Sequence, residues 1–315
     1  MKHILLLGAG FSRNWGGWLA SEVFEYLLGH PNIMINNDLK QLLWNNQSKG
    51  GFEEALAELQ GKADLNITDR KKLESLELAI SDMFNEMNNA FSKIIDWDLQ
   101  GPNKSIGKSI NDFLEKFDAI YSLNQDLLLE YHYIESSNKG RLRHIKIHGA
   151  KVENPFTPTH EWALSKLSAE ITNNVPTNFQ PIYKLHGSSN WVDSNGKPLL
   201  VLGGKKNETI SKLSILSNYQ KQFAADLNIL NTRLMIIGYG FGDVHINDSI
   251  VSGMLQGLEV FNINPSGIEQ LLTLFNSPAS TKLQNQIIGA SRRNLHEIFG
   301  NDTLEYSKIL RFFKS

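Results

Sequence analysis

The chain has 315 residues, a formal net charge of −2 and 20% charged residues, which leaves room for a large buried core and no one-signed field to hold a polyanion, so nucleic acid is not expected as a direct partner. It contains no cysteine, which removes disulfides, thiolate nucleophiles and sulfur-ligated zinc and fits a reducing cytoplasm. The apolar run Ile4 to Leu7 is too short for a secretory signal, and no stretch approaches the ~20 apolar residues of a membrane span, so the chain reads as soluble, unsecreted and complete from residue 1.

His3 to Leu7 is a continuous apolar run, the signature of a strand buried on both faces in a parallel sheet, and it is expected to be the first, central strand. It runs straight into Gly8-Ala9-Gly10-Phe11-Ser12-Arg13, and a helix over 18–28 follows, ending at Gly29. From 31 to 111 the pattern changes to helical periodicity, as in 52–59 and 71–91, with Asn and Gly between, which predicts a helical insertion. Sheet character returns over 117–123, stops at Asn124-Gln125-Asp126, and gives way to a helix over 127–133. Further strands are predicted over 181–185, 233–237 and 258–264, with a crossover helix over 219–230. The tail 268–315 reads as two or three helices with turns near Pro278 and Gly300. The alternation predicts an α/β fold in one domain, a doubly wound, mostly parallel sheet of Rossmann type with a helical insertion and a helical C-terminal tail.

Four segments carry polar or glycine residues at predicted strand ends, where ligands gather in open α/β sheets. Gly8-x-Gly10, between a buried strand and a helix, lets backbone approach a pyrophosphate; the third glycine of the dinucleotide fingerprint is replaced by Arg13, and an ordinary strand-to-helix turn would look the same. Asn124 and Asp126 stand at the end of the 117–123 strand, where they serve equally well as caps of the next helix. His186-Gly187 follows Leu185, so its imidazole can move a proton there, while Ile147-His148-Gly149 offers a rival of the same form. Gly238-Tyr239-Gly240-Phe241-Gly242-Asp243 supplies three more glycines after an apolar strand, as a nucleotide-contacting loop or as a tight turn. Gly203-Gly204-Lys205-Lys206 lacks the spacing of a phosphate loop and reads as a turn beside the site.

As an ordered set these segments resemble the sirtuin-like (SIR2-like) family, and more narrowly the branch found in bacterial anti-phage defence proteins. Gly8 to Ser12 is similar to the family's first glycine motif, Leu123 to Asp126 to its Thr-Gln-Asn-Ile-Asp segment, Lys184 to Ser188 to its histidine-glycine motif, and Gly238 to Asn247 to the defence branch's late glycine motif, while Asn262 to Pro265 resembles the strand end that meets the adenosine ribose. The resemblance implies NAD as substrate. By it, Asn124 positions the attacking water or a ribose hydroxyl, His186 is the general base and Asp126 contacts the nicotinamide carboxamide. Gly8, Ala9, Gly10, Phe11, Ser12, Arg13, Gly238, Tyr239, Gly240, Asp243 and Asn264 hold the rest of the dinucleotide. Protein deacetylases of the family carry Pro-Asp-Phe-Arg after the first motif and a four-cysteine zinc module; Arg13 to Gly17 and the absence of cysteine depart from both, so no metal is expected. What the resemblance implies is NAD cleavage to nicotinamide and ADP-ribose by a defence effector held in check as a homo-oligomer or by a regulatory protein. The alternatives are a non-catalytic NAD or ADP-ribose sensor and an ADP-ribosyltransferase.

Overall fold

In the computed structural model, residues 1–62, 66–100, 108–134, 144–148, 162–163, 178–192, 200–275, 280–300 and 302–314 are described. The first strand, β1 (Lys2–Leu7), is followed by α1 (Ala9–Ser12), a 3-10 turn at Arg13–Trp15, α2 (Ala20–Gly29), α3 (Pro31–Met34), α4 (Asn37–Asn46), α5 (Phe52–Lys62), α6 (Ile67–Phe91) and α7 (Ile110–Leu114). Next come β2 (Ala119–Ser122), a π-helical turn at Glu130–Ile134, β3 (His144–Ile147), β4 (Trp162–Ala163), β5 (Phe179–Lys184) and β6 (Trp191–Val192). The last part holds α8 (Lys206–Lys212), α9 (Ser214–Leu227), β7 (Thr232–Ile237), α10 (Val244–Leu255), β8 (Glu259–Ile263), α11 (Ile268–Leu272), α12 (Ser280–Gln284), β9 (Ile287–Ser291), α13 (Leu295–Phe299) and α14 (Thr303–Leu310).

Seven strands pair in the order β3-β5-β2-β1-β7-β8-β9, every pair parallel, with β4 and β6 forming a separate two-stranded ribbon. Ile4 to Leu7 are fully buried, as a central strand covered on both faces requires. From β1 the chain adds β2, then the edge strand β3, then β5 between the two, and returns across β1 to add β7, β8 and β9 on the other side. The strand order therefore reverses at β1, and the crevice outside the C-terminal ends of β1, β2 and β7 is where a doubly wound sheet binds its ligand.

The helical character expected between 31 and 111 is present. The 25-residue α6 buries Leu76, Ala79, Ile80, Met83, Phe84, Met87 and Phe91 at helical spacing, with Asn66 capping its start by accepting from the Asp69 amide. Asn88 falls on the same buried stripe, a polar residue where an apolar one would serve the core. Strands β3, β4 and β6 and helix α8 lie outside the elements predicted from sequence, and two further stretches differ from the sequence reading. Leu127 to Tyr133, expected as a regular helix, takes a π-helical turn over Glu130–Ile134. The tail, expected to be helical throughout, also supplies β9, an edge strand whose pairing with β8 is broken by a register shift between Val260 and Phe261. Its half-exposed side chains and central Gly289 hide the usual alternation. The glycine is needed because a Cβ there would lie 2.5 Å from the Phe261 ring. Among the described residues no helix is long and apolar enough to cross a membrane.

Candidate functional site

At the strand ends lies a cavity of about 1100 Å³, slightly above the roughly 300–1,000 Å³ common for small-molecule sites. Its lining includes Gly8, Ala9, Gly10, Arg13, Asn124, Asp126, His186, Gly238, Tyr239, Gly240, Asp243 and Asn264, so twelve of the fourteen residues singled out from sequence meet around one space. Phe11 and Ser12 do not line it. Phe11 is packed behind the wall against Trp15 and Trp97, with ring centroids 5.0 and 6.5 Å away, and Ser12 is buried inside a polar network.

The parallel register explains why Asn124 and His186 converge. Ser122 of β2 pairs with Lys184 of β5, so each site residue stands two positions past a paired residue on adjacent strands. Asn124 donates through Nδ2 to the Gly8 carbonyl at 3.0 Å and to Ser12 Oγ at 2.9 Å, and Ser12 Oγ donates in turn to Asp126 Oδ2 at 2.8 Å. Both amide protons of Asn124 are thus engaged, and its Oδ1 remains as an acceptor. Asp126 Oδ1 accepts from the Leu128 amide at 3.1 Å, so the capping role and the site position hold together. Behind them the buried Lys184 donates to the Asp126 carbonyl at 2.6 Å and pairs with Glu130 Oε1 at 2.9 Å. Burial raises the Glu130 carboxyl above its ordinary value, opposed by the Lys184 charge.

His186 is 3% exposed, and its Nε2 is buried without a hydrogen-bond partner. Burial pushes its imidazole down to about 4; Asp243 opposes the shift, while Lys206 and His245 add to it. The ring is therefore neutral at pH 7 and able to accept a proton. Its rival His148 is packed against Tyr183 at 5.1 Å beyond β3, the outermost strand on that side, and is not among the cavity residues. Because the native state resists protonation of His186 and the unfolded chain does not, the stability tied to this group is full above pH 6.5 and falls as the pH drops toward 4, by about 3 kcal/mol in all. Urea unfolding of wild type and His186→Gln at pH 7.5 and pH 4.5 should show the wild type losing more.

The two glycine motifs are built against each other. Gly8 N donates to the Ile237 carbonyl at 3.0 Å, Gly10 N to the Gly238 carbonyl at 2.9 Å and Phe11 N to the Gly8 carbonyl at 2.8 Å. A Cβ on Gly8 would lie 2.6 Å from the Gly238 oxygen, one on Gly10 2.6 Å from the Gly238 Cα, and one on Gly238, at φ +66°, 2.3 Å from the Gly10 carbonyl carbon. The lost side chains admit a neighbouring loop, and those three amides are bonded within the protein, while Gly8, Gly10 and Gly238 still line the cavity. Gly238→Ala combines a left-handed backbone with a backbone clash and is expected to cost on the order of 3 kcal/mol in thermal or urea unfolding.

Several contacts that brace the cavity could not be read from the sequence. Asn88 donates to Ser189 Oγ at 2.9 Å and accepts from the Leu127 amide at 2.9 Å, tying α6 to the loops that carry Asp126 and His186; its signal was a polar residue on an apolar helical stripe. Asn14 donates to the Gly10 and Phe11 carbonyls and accepts from the Leu295 amide, fastening the tail to the cavity wall. Lys206 bridges Glu53 on α5 at 2.6 Å and Asp243 at 3.2 Å; burial works against its charge, and the two carboxylates outweigh it and raise its pKa. Tyr239 OH and Asn247 brace the turn that presents Asp243, whose amide donates to the Tyr239 hydroxyl at 3.0 Å. Asn264 spans this loop and the next, donating to the Tyr239 carbonyl at 3.2 Å and accepting from the Ser266 amide at 3.0 Å. Met83, Phe84 and Met87 of α6, with Phe52 of α5 and Trp18, give the opposite wall an apolar surface. Among the described residues no group of three or more His, Asp or Glu is placed to hold a metal ion.

With known proteins, the chain is similar to the SIR2-like domain family over residues 118–259, a stretch that contains Asn124, Asp126, His186 and Asp243 but not Gly8 to Arg13 or Asn264. No curated protein matches it. Among solved structures, a chain from work on the structural basis for the mechanism and regulation of Sir2 enzymes aligns over 99% of this chain and 92% of its own, at 13% identity and a TM-score of 0.36. That overlap is too loose to inform the site.

Proposed function

We propose that the protein is an NAD glycohydrolase that cleaves NAD to nicotinamide and ADP-ribose. The observation that carries this reading is the pairing, in one cavity, of a buried neutral His186 whose Nε2 is unanswered with an Asn124 whose amide protons are spent. The C1′–N bond of the nicotinamide ribose breaks with its electron pair going to the pyridinium, and nicotinamide leaves neutral, so no general acid is needed. Water attacks the oxocarbenium centre left at C1′. The proton lost by the water passes to His186 Nε2. Asp126 has lone pairs left for the nicotinamide carboxamide after accepting from Ser12 and Leu128. Lys49, Arg13 (paired with Glu22 at 2.6 Å) and Arg293 (paired with Glu297 at 3.4 Å) are lining cations available to the diphosphate in place of the engaged glycine amides.

The test is incubation of purified protein with NAD and quantification of nicotinamide and ADP-ribose; tight NAD binding without product in any oligomeric state would overturn the reading. Since His186 in the free protein is neutral above about pH 4, the acid limb of kcat/KM is expected near pH 4 rather than near 6.5. The proposal extends to a defence effector that drains cellular NAD once a partner or change of assembly releases it, supported by the resemblance of the late glycine segment. Cells expressing wild type, but not His186→Ala, should lose NAD upon the trigger.

A further inference from the structure

His245 lies in the first turn of α10 and lines the same cavity as His186 and Asn124. Its Nε2, like that of His186, is buried without a partner, and the two imidazole centroids are 5.7 Å apart. Each buried, unanswered nitrogen is a cost to the free protein that a bound molecule bonding to both would recover. The charged and titratable groups around His245 are Asp243, Lys206, Asp248 and His186. Burial dominates and lowers its pKa, Lys206 adds to this, the two aspartates oppose it, and the positive end of α10 also favours the neutral ring. A neutral imidazole offers one donor and one acceptor.

We infer that His245 is a second catalytic residue, whose Nε2–H donates to the oxygen of the water that His186 and Asn124 hold for attack; this rests on the NAD-cleaving reading. A water has two protons and two lone pairs. Asn124 has only its Oδ1 to offer, because both its amide protons go to Gly8 and Ser12, and His186 must accept in order to take the proton. Two acceptors fix both O–H bonds and leave both lone pairs loose. A donor that engages one lone pair aims the other at C1′. The C1′–N bond breaks first, its electron pair leaving with nicotinamide, and the oxocarbenium centre at C1′ is either recaptured by nicotinamide or attacked by the water. On attack the O–C1′ bond forms, the proton facing His186 transfers to it, and the proton facing Asn124 stays on the new hydroxyl. His245 keeps its protonation state throughout. An internal nucleophile with one proton or none leaves an acceptor unanswered, so the arrangement favours linear ADP-ribose over a cyclic product.

The experiment compares wild type, His245→Phe and His245→Gln, each given NAD and labelled nicotinamide. ADP-ribose formation reports capture by water, and entry of label into NAD reports C1′–N cleavage alone; calorimetry gives NAD affinity. His245→Phe is expected to lose ADP-ribose formation by about 100-fold while label exchange and affinity persist. His245→Gln, which keeps an N–H donor, should recover most of the loss. Hydrolysis by His245→Phe at the wild-type rate, or parallel loss of hydrolysis and exchange, overturns the inference. A wild type that neither exchanges nor releases nicotinamide fails the NAD-cleaving reading itself, and this inference with it.

Discussion

His186→Leu is expected to lower kcat for nicotinamide release by about 10³-fold, roughly 4 kcal/mol of transition-state stabilisation, while leaving the protein as stable as wild type or more so. The two halves of this result have one cause. The His186 Nε2 is buried with no partner, so in the free protein it is a cost, and an apolar side chain of similar size removes that cost. A histidine kept for packing would show the reverse, with lower stability and intact turnover. Asn124→Ala is expected to match the loss of activity but to melt earlier, because the Gly8 carbonyl and the Ser12 hydroxyl both lose a donor in a buried place. Steady-state kinetics with a melting curve for each variant checks both statements.

Lys184→Met is expected to destabilise the fold by about 3–5 kcal/mol at neutral pH, the largest stability effect foreseen for a single side chain here. It strands the Glu130 carboxylate at 2% exposure and removes the donor to the Asp126 carbonyl. The penalty depends on pH with a definite sign. Burial already raises the Glu130 pKa and Lys184 counters it, so without the lysine Glu130 takes up a proton at higher pH still. The variant's deficit therefore shrinks as the pH falls through that raised value and grows above it. Lys184→Met with Glu130→Leu should restore much of the stability, since a well-packed apolar pair replaces a buried ion pair at little cost. Denaturant unfolding of the two variants at pH 5 and pH 8 provides the measurement. Failure of the double variant to recover would mean that the bond to Asp126, rather than the ion pair, is what holds this layer.

Much of the site was legible because parallel sheets write their strands as uninterrupted apolar runs. Ile4 to Leu7 and Leu234 to Ile237 each stop abruptly at glycine, as the run Ile120 to Leu123, broken only by Ser122, stops at Asn124, and those stops lie at the cavity. What the runs conceal is the side from which a glycine is approached. Gly8 and Gly238 line the cavity and also make room for each other's backbone. His245 sat inside a quoted segment without attracting notice, since the closeness of its ring to His186 comes from packing the start of α10 against the end of β5.

Local sequence, then, determined the α/β alternation, the buried central strand, the helical stretch between 31 and 111, and the chemistry available at four strand ends, because periodicity and turn residues act over a few positions along the chain. Only the tertiary structure decided that β2 and β5 lie side by side in the register that brings Asn124 to His186, that His148 falls outside the cavity, that the tail adds an edge strand, and that Lys206, Asn88 and Asn14 bind distant segments into one wall. Strand order and burial depend on contacts between residues far apart along the chain, from a few tens of positions to more than two hundred. No short window of the chain contains both partners of such a contact.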